Sequence, residues 1–161
     1  MKDSFAELVD LLKTYELTIS TCESITGGMI ASMLVEVPGA SKVFKGGLVT
    51  YTNEIKTRLA NVKSSTLEKF GAISRETVIE MVTNTSQKFK TDICIAVSGN
   101  AGPLPDENKP VGLVYVAISI IDKIYVYEFN AKSTNRNDIR IETVAFVFEE
   151  TIKLIKKMTK N

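Results

Sequence analysis

Short apolar runs rich in β-branched residues alternate along this chain with stretches whose apolar residues recur every three to four positions. That alternation restricts the fold more than any other feature. Leu17 to Cys22, Phe44 to Tyr51, Asp92 to Ser98, Gly112 to Ile121 and Lys123 to Phe129 read as strands. Around them lie helical stripes. Phe5, Leu8, Val9, Leu11 and Leu12 mark a helix over about residues 4–14, capped by Asp3 or Ser4. Met29, Ile30, Met33 and Leu34 mark a second, and Asn53 opens a short third containing Lys56, Leu59 and Ala60. Ser74 opens a longer one with Val78, Met81, Val82 and Phe89 inside, and a last helix covers about residues 135–157. The order α-β-α-β-α-α-β-β-β-α predicts an α/β fold with a mixed β-sheet sandwiched between helices on both faces, a three-layer α/β/α arrangement. The short Asp122-Lys123 connection makes the last two strands an antiparallel pair, and Gly46-Gly47 within the second strand predicts a bulge or a close backbone approach.

At 161 residues the chain suits a single domain, 1–161, with one core. Its 20 Lys and Arg against 19 Asp and Glu leave a net charge of +1, so no overall field draws it to nucleic acid or to anionic lipid. The lysines at 153, 156, 157 and 160 alternate with apolar residues at helical spacing and read as a solvated helix face. No apolar run approaches the ~20 residues needed to cross a bilayer, and no signal peptide is evident; the expectation is a cytoplasmic protein without a membrane partner. Cys22 and Cys94 sit in strand-like runs without metal-ligand spacing and are expected to be reduced, buried and structural.

The chain contains no histidine. Ser-His-Asp and Cys-His catalysis and His-ligated zinc are thereby excluded, and any general base must be Lys, Asp, Glu, Tyr or a bound group. The turn Glu23-Ser24-Ile25-Thr26-Gly27-Gly28, between a strand and a helix, places hydroxyls and backbone N–H groups where an anion or oxyanion could be held. Spacing alone favours a plain helix start, with Ser24 or Thr26 as N-cap and glycines for close packing, since such turns before helices are common. Lys56 reads as a solvated helix residue, yet without histidine a desolvated lysine is the base best suited to activate a serine. Tyr51 could relay a proton or orient a ligand. Ser98-Gly99-Asn100-Ala101-Gly102-Pro103 forms a second turn at a strand end, and Arg136 and Arg140 share a helix face that could clamp a phosphate.

Read together, Thr-x-Glu-Ser-x-Thr-Gly-Gly (21–28), Val-Pro-Gly-x-Ser (37–41), Phe-x-Gly-Gly (44–47), Tyr-Thr-Asn-Glu-x-Lys (51–56), Gly-Ala-x-Ser (71–74), Ser-Gly-x-Ala-Gly-Pro (98–103), Lys-Pro-Val-Gly (109–112) and Arg-x-x-Ile-Arg (136–140) resemble the C-terminal domain of the competence/damage-inducible protein CinA, including its stand-alone nicotinamide mononucleotide deamidases. The resemblance covers nearly the whole chain; the N-terminal domain of longer relatives has no counterpart in it. It implies hydrolysis of the carboxamide of nicotinamide mononucleotide to nicotinic acid mononucleotide and ammonia, a nucleotide substrate, no metal or other cofactor, and a homo-oligomer. It further implies Ser24 as nucleophile, Lys56 as its base and Tyr51 beside them, with Ser41, Ser98, Arg136 and Arg140 as substrate contacts. The backbone of Thr26, Gly27 and Gly28 is the expected anion or oxyanion site. The alternative is a nucleotide-binding or partner-binding module, linked to competence or DNA damage, that no longer deamidates efficiently. The chain departs from the family pattern at Ile25 (cysteine), Thr52 (serine) and Ser98 (threonine), at Asn100 (apolar), over 104–108 (glycine-rich) and at Thr134-Asn135 (Gly-Asp).

Overall fold

The computed structural model describes residues 2–160, with side chains from Ser4 onward. Five strands form one sheet: β1 (Ile19–Glu23), β2 (Phe44–Val49), β3 (Ile93–Gly99), β4 (Leu113–Ile120) and β5 (Lys123–Asn130), in the order β2-β1-β3-β4-β5. β1 runs parallel to β2 and to β3, while β3, β4 and β5 pair antiparallel. The sheet is therefore mixed, as the alternation implies. The helices are α1 (Lys2–Thr14), α2 (Met29–Val35), α3 (Asn53–Ala60), α4 (Ser64–Phe70), α5 (Arg75–Phe89) and α6 (Arg136–Met158).

Burial on both faces explains why β3 reads as an unbroken apolar run. Ile93, Ile95 and Val97 pack into the larger core with Leu8 and Leu12 of α1, Ile30 and Leu34 of α2, and Val147 and Phe148 of α6. Cys94 and Ala96 face the other side, joining Cys22 and Ala117 against Val78, Met81 and Val82 of α5. Small side chains on that face let α5 lie close to the sheet. Phe5 and Phe148 bring α1 and α6 together, with ring centroids 4.6 Å apart. Both cysteines are free and buried, and burial pushes the Cys94 thiol up to about 12.

Several local expectations are corrected. Helix α1 begins at Lys2, so Asp3 and Ser4 lie inside its first turn instead of capping it. Thr52, not Asn53, caps α3, its hydroxyl accepting from Ile55 N–H at 3.3 Å. Helix α4 has no counterpart in the expected order; Ser-Ser-Thr-Leu-Glu-Lys-Phe carries a single aliphatic residue and no apolar stripe. Ser74 caps α5 as expected, accepting from Thr77 N–H. Both glycine expectations in β2 hold: the register slips by one residue at Lys45, and a Cβ on Gly47 would collide with Thr21.

The β4–β5 turn uses Ile121-Asp122 instead of Asp122-Lys123, since Ile120 pairs with Lys123. Ile121 sits there at φ 51°, 57% exposed, a conformation that costs a β-branched residue about 1–2 kcal/mol. Ile121→Asn is expected to raise stability by about 1 kcal/mol in urea unfolding, because asparagine tolerates that φ and little apolar surface is lost.

The crossovers place the site. The β1–β2 connection, through α2, packs on one face and the β2–β3 connection, through α5, on the other. The carboxyl ends of β1, β2 and β3 thus converge beside a point where the chain reverses its direction of winding, the usual ligand crevice of such sheets.

Candidate active site

Three strand ends build the site. Ser24 follows β1, its N–H bonded to Val97 O of β3 at 3.1 Å. Thr50 follows β2 and is tied back by its own N–H to Glu23 O at 2.8 Å. Ser98 lies at the end of β3 and Asn100 just beyond it. Between them opens a cleft of about 550 Å³, lined by Ser24, Lys56, Ser98, Tyr51, Arg136 and the loop 99–107 among others. That volume suits a mononucleotide-sized ligand.

Lys56 enters the cleft wall from the middle of α3. Its Nζ donates to Ser24 Oγ at 3.0 Å and to Thr50 O at 2.8 Å, and the side chain is 1% exposed. Burial lowers its pKa from the ordinary 10.5, while Cys22 and Glu107 act in the opposite sense by favouring the charged form. A lysine so placed can shed its proton and accept one from the adjacent hydroxyl. The same geometry dictates a pH effect on folding. Below the folded-state pKa both states hold the proton, and burial of the ammonium costs stability. Between that pKa and 10.5 only the unfolded chain holds it, so this contribution to stability rises with pH across that window. In urea melts approaching pH 10.5, wild type is expected to gain on Lys56→Met, which has no such proton to release.

The turn after β1 differs from a simple N-cap. Gly28 occupies the N-cap position of α2 at φ 95° with no side-chain cap; instead the Glu23 carboxylate reaches under the turn. Glu23 Oε2 accepts from Thr26 Oγ1 (2.6 Å), Gly28 N–H (3.1 Å) and Ile30 N–H (3.0 Å), and Oε1 from Ala31 N–H (2.9 Å). Gly27 N–H is bonded to Ser24 O. The expected anion site on the backbone of Thr26, Gly27 and Gly28 is therefore corrected: both glycine amides are already satisfied from within, and none of the three residues lines the cleft. Among the described residues, the N–H groups that find no protein partner in this turn are those of Ile25 and Thr26.

The remaining predicted contacts divide. Ser98 lines the cleft, its hydroxyl donating to Ala72 O at 2.8 Å. Tyr51, 57% exposed, stands at the mouth, where its hydroxyl accepts from Arg136 Nη2 at 2.8 Å; Arg136 Nη1 donates to Gly102 O at 2.6 Å. Arg136 thus spans the mouth from β2's end to the β3 loop. Arg140 is not part of the cleft wall; it donates to Thr26 O at 3.0 Å and to Asn137 Oδ1 at 3.1 Å, bracing the Ser24 turn from behind. Ser41 is not brought to the cleft. It is exposed on a 3-10 turn (Ala40–Lys42) before β2, and since β1 and β2 run parallel it lies a strand length, roughly 15 Å, from Ser24.

The loop 100–109, where the chain departs from the family pattern, is ordered by its own side chains. Asn100 is buried, accepts from Gly102 N–H at 2.8 Å and donates to Leu104 O and Lys109 O. Glu107 accepts from Ala72 N–H (2.8 Å) and Ile73 N–H (3.0 Å), and Lys109 donates to Phe70 O and Ile73 O. Glu107 and Asn108, both at positive φ, make the tight turn that delivers them there.

Residues 2–155 match the family model described as CinA C-terminal domain. The chain belongs to this CinA family. It is 46% identical over 151 residues to a CinA-like protein of Petrotoga mobilis, covering 93% of this chain and 37% of that protein. It is 40% identical over 154 residues to the Protein MG115 homolog of Mycoplasma pneumoniae, covering 91% of this chain and 98% of that one. The chain thus spans little more than a third of the first relative and nearly all of the second. Among solved structures, the competence/damage inducible protein CihA of Agrobacterium tumefaciens superposes with a TM-score of 0.91 at 35% identity, covering 95% of this chain and 94% of the other. A CinA superfamily protein of Klebsiella pneumoniae gives 0.94 at 25% identity, covering 97% and 98%. No helix among the described residues is long and apolar enough to cross a membrane.

Sequence reasoning passed over Glu23 and the Thr50 carbonyl. The first had a visible signal, a carboxylate immediately ahead of a helix start. The second had none, because a backbone acceptor is identical at every position.

Proposed function

We propose that this CinA-family chain is an amidohydrolase that converts nicotinamide mononucleotide to nicotinic acid mononucleotide and ammonia through Ser24 and Lys56. The observation that carries this reading is the 3.0 Å contact between Lys56 Nζ and Ser24 Oγ in the wall of the cleft. That is hydrogen-bond reach, and the burial that lowers the lysine pKa moves it toward the neutral amine a base must be.

Neutral Lys56 takes the proton of Ser24 as Oγ bonds to the carboxamide carbon. The oxyanion that develops is met by the N–H group of Ile25, which lines the cleft, the residue after the nucleophile being a recurrent donor in such turns. Lys56 then returns the proton to the amide nitrogen, the C–N bond breaks and ammonia leaves, with the acyl group on Ser24. Water, deprotonated by Lys56, attacks that ester and regenerates the hydroxyl. Arg136 at the mouth is the cation suited to the 5′-phosphate, though it must first exchange its bonds to Tyr51 and Gly102 O. Ser98 and Tyr51 contribute polar wall.

The cleft is walled largely by loop 99–107, which departs from the family pattern at Asn100 and from residue 104 onward, and this favours one competing reading: a module that binds the nucleotide without turning it over. An ammonia-release assay across pyridine nucleotides, run beside thermal shifts with the same compounds, separates the two. Release of ammonia from the mononucleotide supports the amidohydrolase. A rise in Tm without product supports the binding module.

A further inference from the structure

Two charged side chains are fully buried among the described residues, and they lie on either side of Ser24. Lys56 is one. The other is Glu23, 1% exposed, which makes no contact with Lys56 and lies outside the cleft wall. A lone buried carboxylate is costly unless its lone pairs are filled. Here four donors fill them, and all four come from the eight residues that follow it: the Thr26 hydroxyl and the N–H groups of Gly28, Ile30 and Ala31.

This pattern has a geometric consequence. Backbone bonds already pin the start of the turn to both neighbouring strand ends, Thr50 N–H to Glu23 O and Ser24 N–H to Val97 O. The carboxylate pins its far end from underneath. Residues 24–28 are thereby held at both ends, and the positive φ of Gly27 (58°) and Gly28 (95°) lets the chain close over the carboxylate. Of the amides the carboxylate does not take, Gly27 and Met29 N–H bond to Ser24 O and Thr26 O, while those of Ile25 and Thr26 find no protein partner, and of these two Ile25 lines the cleft.

Resting on the amidohydrolase reading above, we infer that Glu23 is a positioning residue whose buried carboxylate holds the turn so that Ser24 Oγ meets Lys56 and the Ile25 N–H group stays open to the reacting carbonyl. It touches no substrate. Its effect belongs to the rate of the chemical step and not to binding, since a nucleophile displaced by about 1 Å loses on the order of 100-fold in rate.

Glu23→Gln keeps the side-chain shape but turns an N–H₂ toward donors that need an acceptor. The test compares this variant with wild type in kcat and KM for nicotinamide mononucleotide and in the rate at which a serine-reactive fluorophosphonate labels Ser24. The expected result is a fall of about 100-fold in kcat and a parallel fall in labelling, with KM within threefold. A folded Glu23→Gln protein with wild-type kcat and labelling would overturn the inference, as would a loss confined to KM. If Glu23→Gln does not fold, Thr26→Val removes one donor and leaves the carboxylate in place; it should lower kcat about fivefold to tenfold at constant KM, and an unchanged kcat would overturn the inference. Labelling keeps the two ideas apart. Wild-type protein that labels at Ser24 but releases no ammonia contradicts the substrate reading, and the Glu23 comparison then stands on labelling alone. Wild-type protein that neither labels nor turns over contradicts both.

Discussion

Lys56→Met is expected to yield a protein at least as stable as wild type at neutral pH that releases ammonia at least about a thousandfold more slowly. The two halves have one cause. Lys56 is 1% exposed, and burying a cationic side chain carries a desolvation cost that its two hydrogen bonds, to Ser24 Oγ and Thr50 O, only partly offset. Methionine has similar length, fills the same space and removes that cost, at the expense of leaving Thr50 O without its donor. A residue kept for packing would do the reverse and destabilise when changed. The rate loss follows because a serine hydroxyl without a base is a weak nucleophile, and no histidine exists anywhere in the chain to replace it. Kinetics on the purified variant and its urea midpoint check the two halves separately.

The second large effect is expected at Asn100. Asn100→Leu restores the apolar character that the family pattern has there, yet it should destabilise the protein by about 2–3 kcal/mol and raise KM. The side chain is buried and satisfies three backbone groups of its own loop, Gly102 N–H, Leu104 O and Lys109 O. Leucine satisfies none of them, and each buried group left unpaired costs about 1–3 kcal/mol before water compensates. Loop 100–109 forms one wall of the cleft, so its loosening reaches the ligand. Because Ser24 and Lys56 hang from other elements, kcat should change much less than KM. A wild-type urea midpoint for this variant would mean that the loop is held by Glu107 and Lys109 alone.

These expectations also show which parts of the molecule a sequence can reveal. The five strands and the long helices were legible because burial imposes a period: Ile93, Ile95 and Val97 face one layer and Cys94 and Ala96 the other. Helix α4 was not, for Leu67 alone gives no stripe. The Ser24–Lys56 pairing was legible only through the missing histidine and the family resemblance, since the two residues are 32 positions apart and meet through sheet topology. The anion site was misplaced because sequence shows which amides a turn offers but not which of them a neighbouring carboxylate has already taken, as Glu23 does with Gly28, Ile30 and Ala31. Ser41 falls outside the cleft for a related reason: a motif match carries no information on which end of the sheet its loop occupies.

Loop 100–109 is the instructive case between these. As a departure from a glycine-rich pattern it reads as damage to the site. In the structure the same residues form a closed set of contacts, with Asn100 inside the loop and Glu107 and Lys109 fastening it to residues 70–73. The altered wall is built and tied down by its own side chains.

Ammonia release from nicotinamide mononucleotide, measured on wild type and Ser24→Ala side by side, tests the central claim most directly. Wild type should form ammonia and nicotinic acid mononucleotide in equal amounts, and Ser24→Ala should be slower by at least about a thousandfold while remaining folded. Equal rates for the two proteins would contradict a mechanism that runs through Ser24.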